Sequence, residues 1–362
     1  MNALLRRSAV AVAASTMAVS LAACGGEEGS GVRMSDDITV GLLLPENEAA
    51  RYEKFDLPVI KEKIGQLTND KGKVVYANAK QDAALQSQQV ETMVADKVDV
   101  LIVDAVDSKA IAGSIKKAHD AGIPVVAFDR LAEGPIDAYT SFDNEEVGHV
   151  QGKALLTALG AKAKDGRIVM MNGAVTDPNA AMFKKGAHTE LDGKVDIGEE
   201  YDTKDWKPEN ATANMEAAID SIGNDKIIGV YSANDGMAGG VIAALKSAGI
   251  FPIPPVTGQD AELAAVQRIV AGEQYATVYK PYAPEAAAAA EMAILLARGM
   301  ELGMAQTDVD SPTTKAIPSV LVPVISVTKE NIGETVIKDG VYTAAEICTP
   351  KYKAACAELG LK

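Results

Sequence analysis

The stretch GIPVVAFDR, residues 122–130, decides how the fold is read. Its centre, PVVAF (124–128), is a continuous apolar run of strand length without polar alternation, so a strand built from it is covered on both faces. An amphipathic segment of helical length, Lys109 to Ala121, precedes it, and it stops abruptly at Asp129 and Arg130. Neighbouring strand residues point to opposite faces, which leaves the acid and the base free to address different partners.

The same unit recurs on both sides. Strand candidates stand at ITVGLLL (38–44), KVVYA (73–77) and DVLIV (99–103), with a further helical stretch at Ala83 to Ala95. After YTSFDNEEVG the pattern resumes with RIVMM (167–171), KVDIG (194–198), KIIGVY (226–231), PPVTG (254–258) and YATVY (275–279). Helices at Pro208 to Ile222 and Gly236 to Ala248 fill gaps, APEAAAAAEMAILLARG is a strong helix stopped by Gly299, and Ser319 to Val327 reads as one more strand. Apolar strands alternating with helices specify an α/β protein of two doubly wound parallel-sheet halves. Ligands of open parallel sheets bind beyond the carboxyl ends of the strands, which puts FDR at the mouth of the first half. LLLPENEAARY, MMNGAVTDPN, VYSANDG, VTGQDAE and TVYKPY likewise place polar groups just past apolar strands, the pattern of a solute site.

The 362 residues, 48% hydrophobic and 23% charged, suit a soluble protein of two ordinary domains. The start differs. Arg6 and Arg7 precede an apolar run of small residues from Ala9 to Ala23, then LAAC and the flexible GGEEGSG, so residues 1–23 read as a secretory signal and 24–36 as a tether. LAAC resembles a bacterial lipobox, which makes Cys24 the expected lipid anchor on the outer face of the cell membrane. Loss of Arg6 and Arg7 with the signal takes the formal −15 to about −17, which argues against nucleic acid as a partner. Cys348 and Cys356 are a disulfide candidate for that oxidising compartment. His119, His149 and His188 have no metal-ligand spacing to a cysteine or to each other, and no metal or other cofactor is expected.

FDR, YTSFDNEEVG, DWKPEN, NDGMAGG, GQDAEL, TVYKP and TVIKDG, in this order and spacing, resemble segments of the periplasmic sugar-binding proteins of ABC importers, which have the type 1 periplasmic binding protein fold. The likeness spans essentially the whole mature chain and is greatest to the xylose-binding and multiple-sugar-binding members. It implies two lobes joined by a three-strand hinge that close over a monosaccharide, D-xylose first and D-glucose or a similar sugar next. Transferred here, residues 37–142 and 282–320 form lobe one, and 143–281 and 321–362 form lobe two. The crossings then fall near Phe142, Pro281 and Val320.

By the same resemblance Arg51 and Tyr52 of the first loop, Asp129, Arg130, Asn179, Trp206, Asn234, Asp260 and Lys280 are the ligand-binding residues. Tyr52 stands where the family usually has Trp, and PENEAARY lacks part of the xylose binders' acidic and basic pattern. Planar carboxylate, guanidinium and carboxamide groups satisfy vicinal hydroxyls two at a time. Trp206, the single tryptophan, is the expected stacking platform for the C–H face of a sugar; Asn234 either caps the helix that follows SANDG or faces the ligand while Asp235 caps it. Taken alone, an Asp-Arg pair is as readily a structural ion pair, and a lone Trp is more often core.

No catalytic residues are expected. G-x-S-x-G, H-E-x-x-H and a phosphate loop are lacking, since GHVQGKA (148–154) has the wrong spacing and Ala154 where Ser or Thr belongs. The expected partners are an ABC permease and its ATPase, with the protein monomeric and touching the membrane only through its lipid. A sensor role toward a chemoreceptor or kinase is compatible with the same sequence, and a carbohydrate-active enzyme is the rival from another class.

Overall fold

The computed structural model describes residues 35–361 except 48 and 50. The signal segment, Cys24 and most of the tether therefore lie outside the described residues.

Among these residues the strands are β1 (Thr39–Leu44), β2 (Lys73–Asn78), β3 (Val100–Val103), β4 (Val125–Phe128), β5 (Ala138–Phe142), β6 (Arg167–Asn172), β7 (Asp196–Asp202), β8 (Ile227–Ser232), β9 (Thr277–Tyr279), β10 (Thr307–Val309), β11 (Ile317–Val322) and β12 (Ile325–Val327). The helices are α1 (Leu57–Leu67), α2 (Ala83–Ala95), α3 (Ala112–Asp120), α4 (Asn144–Leu159), α5 (Pro178–Leu191), α6 (Pro208–Ile222), α7 (Asp235–Ser247), α8 (Leu263–Ala271), α9 (Tyr282–Ala297), α10 (Ala344–Ile347) and α11 (Lys353–Glu358).

One sheet runs β10-β11-β5-β4-β3-β1-β2 and is parallel except for the β10–β11 pair; a second runs β7-β6-β8, all parallel; β9 and β12 form an antiparallel pair. The apolar runs explain the first sheet directly. Val40, Leu42, Val100, Ile102, Val126 and Phe128 face one core with α1 and α9, while Leu43, Leu101, Val103, Val125 and Ala127 face another with α2 and α3. Successive residues thus feed opposite faces, and both faces are buried. A third core wraps the second sheet with residues of α4, α5, α6 and α7.

Acids at strand ends start several helices. Asp82 and Asp143 accept backbone N–H groups at the starts of α2 and α4, and Asp177 does so for α5, where Pro178 takes the first helical position. The tail carries a Cys348–Cys356 disulfide and packs through Tyr342, Ile347 and Cys356 against α8 and β12.

Four expectations change. The strand expected at Ser319 to Val327 is two strands in different sheets, because Pro323 lacks the N–H that a continuous ladder needs. PPVTG contributes a single bridge, Val256 to Val230, for the same reason at Pro254 and Pro255. KVDIG is displaced to Asp196–Asp202, whose five central residues are all half-buried and include the polar GEEY. β5 and β10 were not anticipated; β5 is short and polar in AYTSF, although every residue of it is buried.

Candidate functional site

The carboxyl ends of both sheets open onto one cleft of about 250 Å³. All nine residues expected to bind ligand line it: Arg51, Tyr52, Asp129, Arg130, Asn179, Trp206, Asn234, Asp260 and Lys280. Six cleft-lining residues hold positive φ: Lys80 (51°), Gln81 (64°), Asp129 (57°), Asp205 (57°), Trp206 (59°) and Asp260 (97°). Side-chain-bearing residues adopt such backbone at a cost of about 1–3 kcal/mol each, and this strain concentrates at ligand clamps.

Asp129 and Arg130 do answer to different partners. Arg51 donates to Asp129 Oδ2, to Asp56 (2.9 Å) and to Glu285 (2.7 Å), so one guanidinium serves three buried carboxylates. Its Cζ lies 4.5 Å from the centre of the Tyr282 ring, which covers the remaining face. Burial lifts the Asp129 carboxyl, but Arg51, Lys280 and Arg130 more than offset it and hold the group below its ordinary value. Burial wins at Asp56 and Glu285, which are both raised despite Arg51.

Arg130 Nε faces Asp177 Oδ2 at 3.0 Å and Asp104 Oδ1 at 3.6 Å, while its terminal nitrogens donate to the Ala105 carbonyl and to the Tyr52 hydroxyl. Asn179 Nδ2 donates to the Asp129 carboxylate (2.8 Å) and carbonyl (3.1 Å). Opposite, Lys280 Nζ pairs with Asp260 Oδ1 at 2.8 Å, and Asp260 with Asp129 raises the ammonium's pKa against the lowering effect of burial.

Trp206 closes a short turn before α6 and meets Phe183 edge-on, with ring centres 6.2 Å apart. Gly173 lies so close that a Cβ there would come within 2.0 Å of the indole, so MMNG needs its glycine to seat the ring. Trp206 Nε1, Asn179 Oδ1 and Gln259 Oε1 are buried without a hydrogen-bond partner among the described residues.

Asn234 lines the cleft and also takes the cap of α7, while Asp235 does neither. Asn234 has the extended backbone of a cap (φ −146°, ψ 172°) and accepts the Met237 N–H at 2.9 Å. Asp235 is already helical and wholly buried, accepting from Gln274 (2.7 Å), Thr277 (2.7 Å) and the Glu262 N–H (3.0 Å). Asp56, Asp104, Asp177, Gln259, Glu262 and Glu285 complete the surroundings and went unread in the sequence. Asp104 had a usable signal, since it directly follows an apolar strand as Asp129 does.

Residues 40–301 match the periplasmic binding protein domain family. The chain belongs to this family. It is 36% identical over 317 residues to the D-xylose-binding periplasmic protein of Escherichia coli, covering 86% of this chain and 93% of that protein. Identity to a multiple sugar-binding periplasmic protein of Azospirillum brasilense is 33% over 333 residues, with 86% and 91% covered. A solved ABC transporter solute-binding protein from Clostridium phytofermentans, with bound β-D-glucose, matches with a TM-score of 0.77 at 25% identity, covering 85% of this chain and 99% of that one. The two sheets of this periplasmic binding protein are thus in keeping with the fold of its relatives, the type 1 fold.

Two acids beside the cleft, Asp235 and Glu262, are expected to give the periplasmic binding protein a pH response. Burial pushes Asp235 up to about 7; burial together with the Asp235 and Asp260 charges pushes Glu262 up to about 8. Both groups hold protons more tightly folded than unfolded, so their stabilisation is present at low pH and is lost as pH rises through 7 to 8. The thermal midpoint is expected to fall from about pH 5 to about pH 8, and Glu262→Gln to flatten that fall. A wild-type midpoint that is level across the window contradicts the assignment.

Proposed function

We propose that this protein captures a monosaccharide between two closing lobes and delivers it to an ABC permease and its ATPase, without chemical turnover. D-xylose is the first candidate and D-glucose or a similar sugar the second. Lobe one is residues 37–142 with 282–320, lobe two is 143–281 with 321–362, and the hinge crosses near Phe142, Pro281 and Val320. The protein works outside the cytoplasm, as a monomer held to the membrane by lipid on Cys24.

The observation that carries this reading is the set of unanswered polar atoms in the cleft. An indole N–H and two amide carbonyls stand beside a flat apolar ring. Buried polar groups are costly unless paired, and a pyranose offers donors and acceptors on its rim with C–H groups on its face. The names of the relatives agree, being xylose and multiple-sugar binders and a glucose-bound solute-binding protein.

Trp206 is the only tryptophan, so fluorescence excited selectively at tryptophan reports the cleft alone. Titration with a panel of monosaccharides is expected to give a saturable change, strongest with D-xylose. An unchanged spectrum with every sugar overturns the reading.

A further inference from the structure

The loop that opens α5 meets the first sheet's strand-end loops at several points. The Ser108 N–H donates to the Thr176 carbonyl at 3.2 Å, and Asn179 reaches Asp129 as described. Between them stands Asp177, whose two oxygens do different work. Oδ1 accepts the Asn179 N–H at 2.8 Å and caps α5, while Oδ2 meets Arg130 Nε at 3.0 Å. Only 5% of the acid's side chain and 7% of the arginine's is exposed. Asp104 is the other carboxylate at Arg130 Nε, but it belongs to the same sheet as Arg130 and lies farther off at 3.6 Å. The cap needs no charge; the bridge does.

We propose that Asp177 is a positioning residue for ligand capture: its carboxylate reaches across the cleft, fixes the Arg130 guanidinium and slows release of the solute. The inference rests on the binding-protein reading above. Because the bridge exists only when the two strand-end loops are together, it adds to the closed arrangement and not to first encounter. Its loss therefore falls on dissociation.

Asp177→Asn separates the two jobs, since Asn caps a helix as well as Asp does but brings no charge to Arg130. Stopped-flow Trp206 fluorescence with D-xylose is expected to show the dissociation rate raised at least about tenfold and the association rate within about threefold of wild type. An unchanged dissociation rate overturns the proposal, as does a loss carried wholly by association. A second readout needs no sugar: the distance distribution between spin labels on cysteines introduced at the exposed Lys116 of α3 and Glu216 of α6. Asp177→Asn should broaden it toward longer separations, whereas Asp104→Asn, on Arg130's own side, should leave it as in wild type. Superimposable distributions for wild type and Asp177→Asn overturn the bridge as a closing contact. If wild type responds to no sugar, the proposed function fails, and the label distances still decide the role of Asp177.

Discussion

Replacing Arg51 by Met is expected to cost about 3–5 kcal/mol of folding stability, the usual consequence of removing one partner from a buried ion cluster. The reason is specific to this site. Arg51 is the shared donor of Asp56, Asp129 and Glu285, all buried, and its removal strands up to three carboxylates in a setting that burial already disfavours. Some relief comes from proton uptake, so the penalty should shrink as pH falls toward 4.5 or so and the carboxyls neutralise. Arg51→Lys should recover little, because an ammonium cannot span three acceptors in a plane. Adding Glu285→Gln to Arg51→Met should recover part of the loss, since it removes one of the stranded charges. Urea unfolding at two pH values measures all of this; a penalty equal at both, or no recovery in the double variant, contradicts the charge-based explanation.

Asp260→Ala is expected to weaken monosaccharide binding by about 2 kcal/mol or more, roughly thirtyfold in Kd. Asp260 is the acid facing Lys280 at 2.8 Å, and its own carbonyl accepts the Tyr282 hydroxyl at 2.7 Å. Alanine would leave a buried ammonium without that counter-ion and would remove a bidentate acceptor for the ligand. The φ of 97° adds a backbone reason to expect that this acid is held in place for use. Asp260→Asn should lose less, because one carbonyl acceptor remains. Binding by Asp260→Ala that matches wild type in fluorescence titration would remove Asp260 from the site.

The sheets were legible because their strands are apolar without interruption, and the cleft was legible because polar residues follow those strands. VVAF ending in Asp129 and Arg130 gave both at once. Reading failed where a residue's task depends on its neighbours in space. Asn234 and Asp235 are adjacent, both are good caps, and only the extended backbone at 234 assigns the cap to Asn234. Glu285 looks like an ordinary acid in the first turn of an alanine-rich helix. Its burial comes from α9 packing on the first sheet beside Arg51, a contact 234 residues apart in sequence. Asp56 is hidden similarly, in the turn that joins Arg51 to α1. Pro323, by contrast, was a local signal that the run from 319 to 327 had to break.

Calorimetric titration of the mature protein with a panel of monosaccharides tests the proposed function most directly. A micromolar Kd corresponds to about −8 kcal/mol, or roughly −0.8 per heavy atom for a pentose, within the ceiling for small ligands. The expected result is one site per chain, micromolar affinity for D-xylose or a related aldopyranose, and a weaker constant for each sugar that leaves a polar group of the cleft unpaired. Absence of saturable heat with every aldopentose and aldohexose, at protein concentrations well above micromolar, would contradict it.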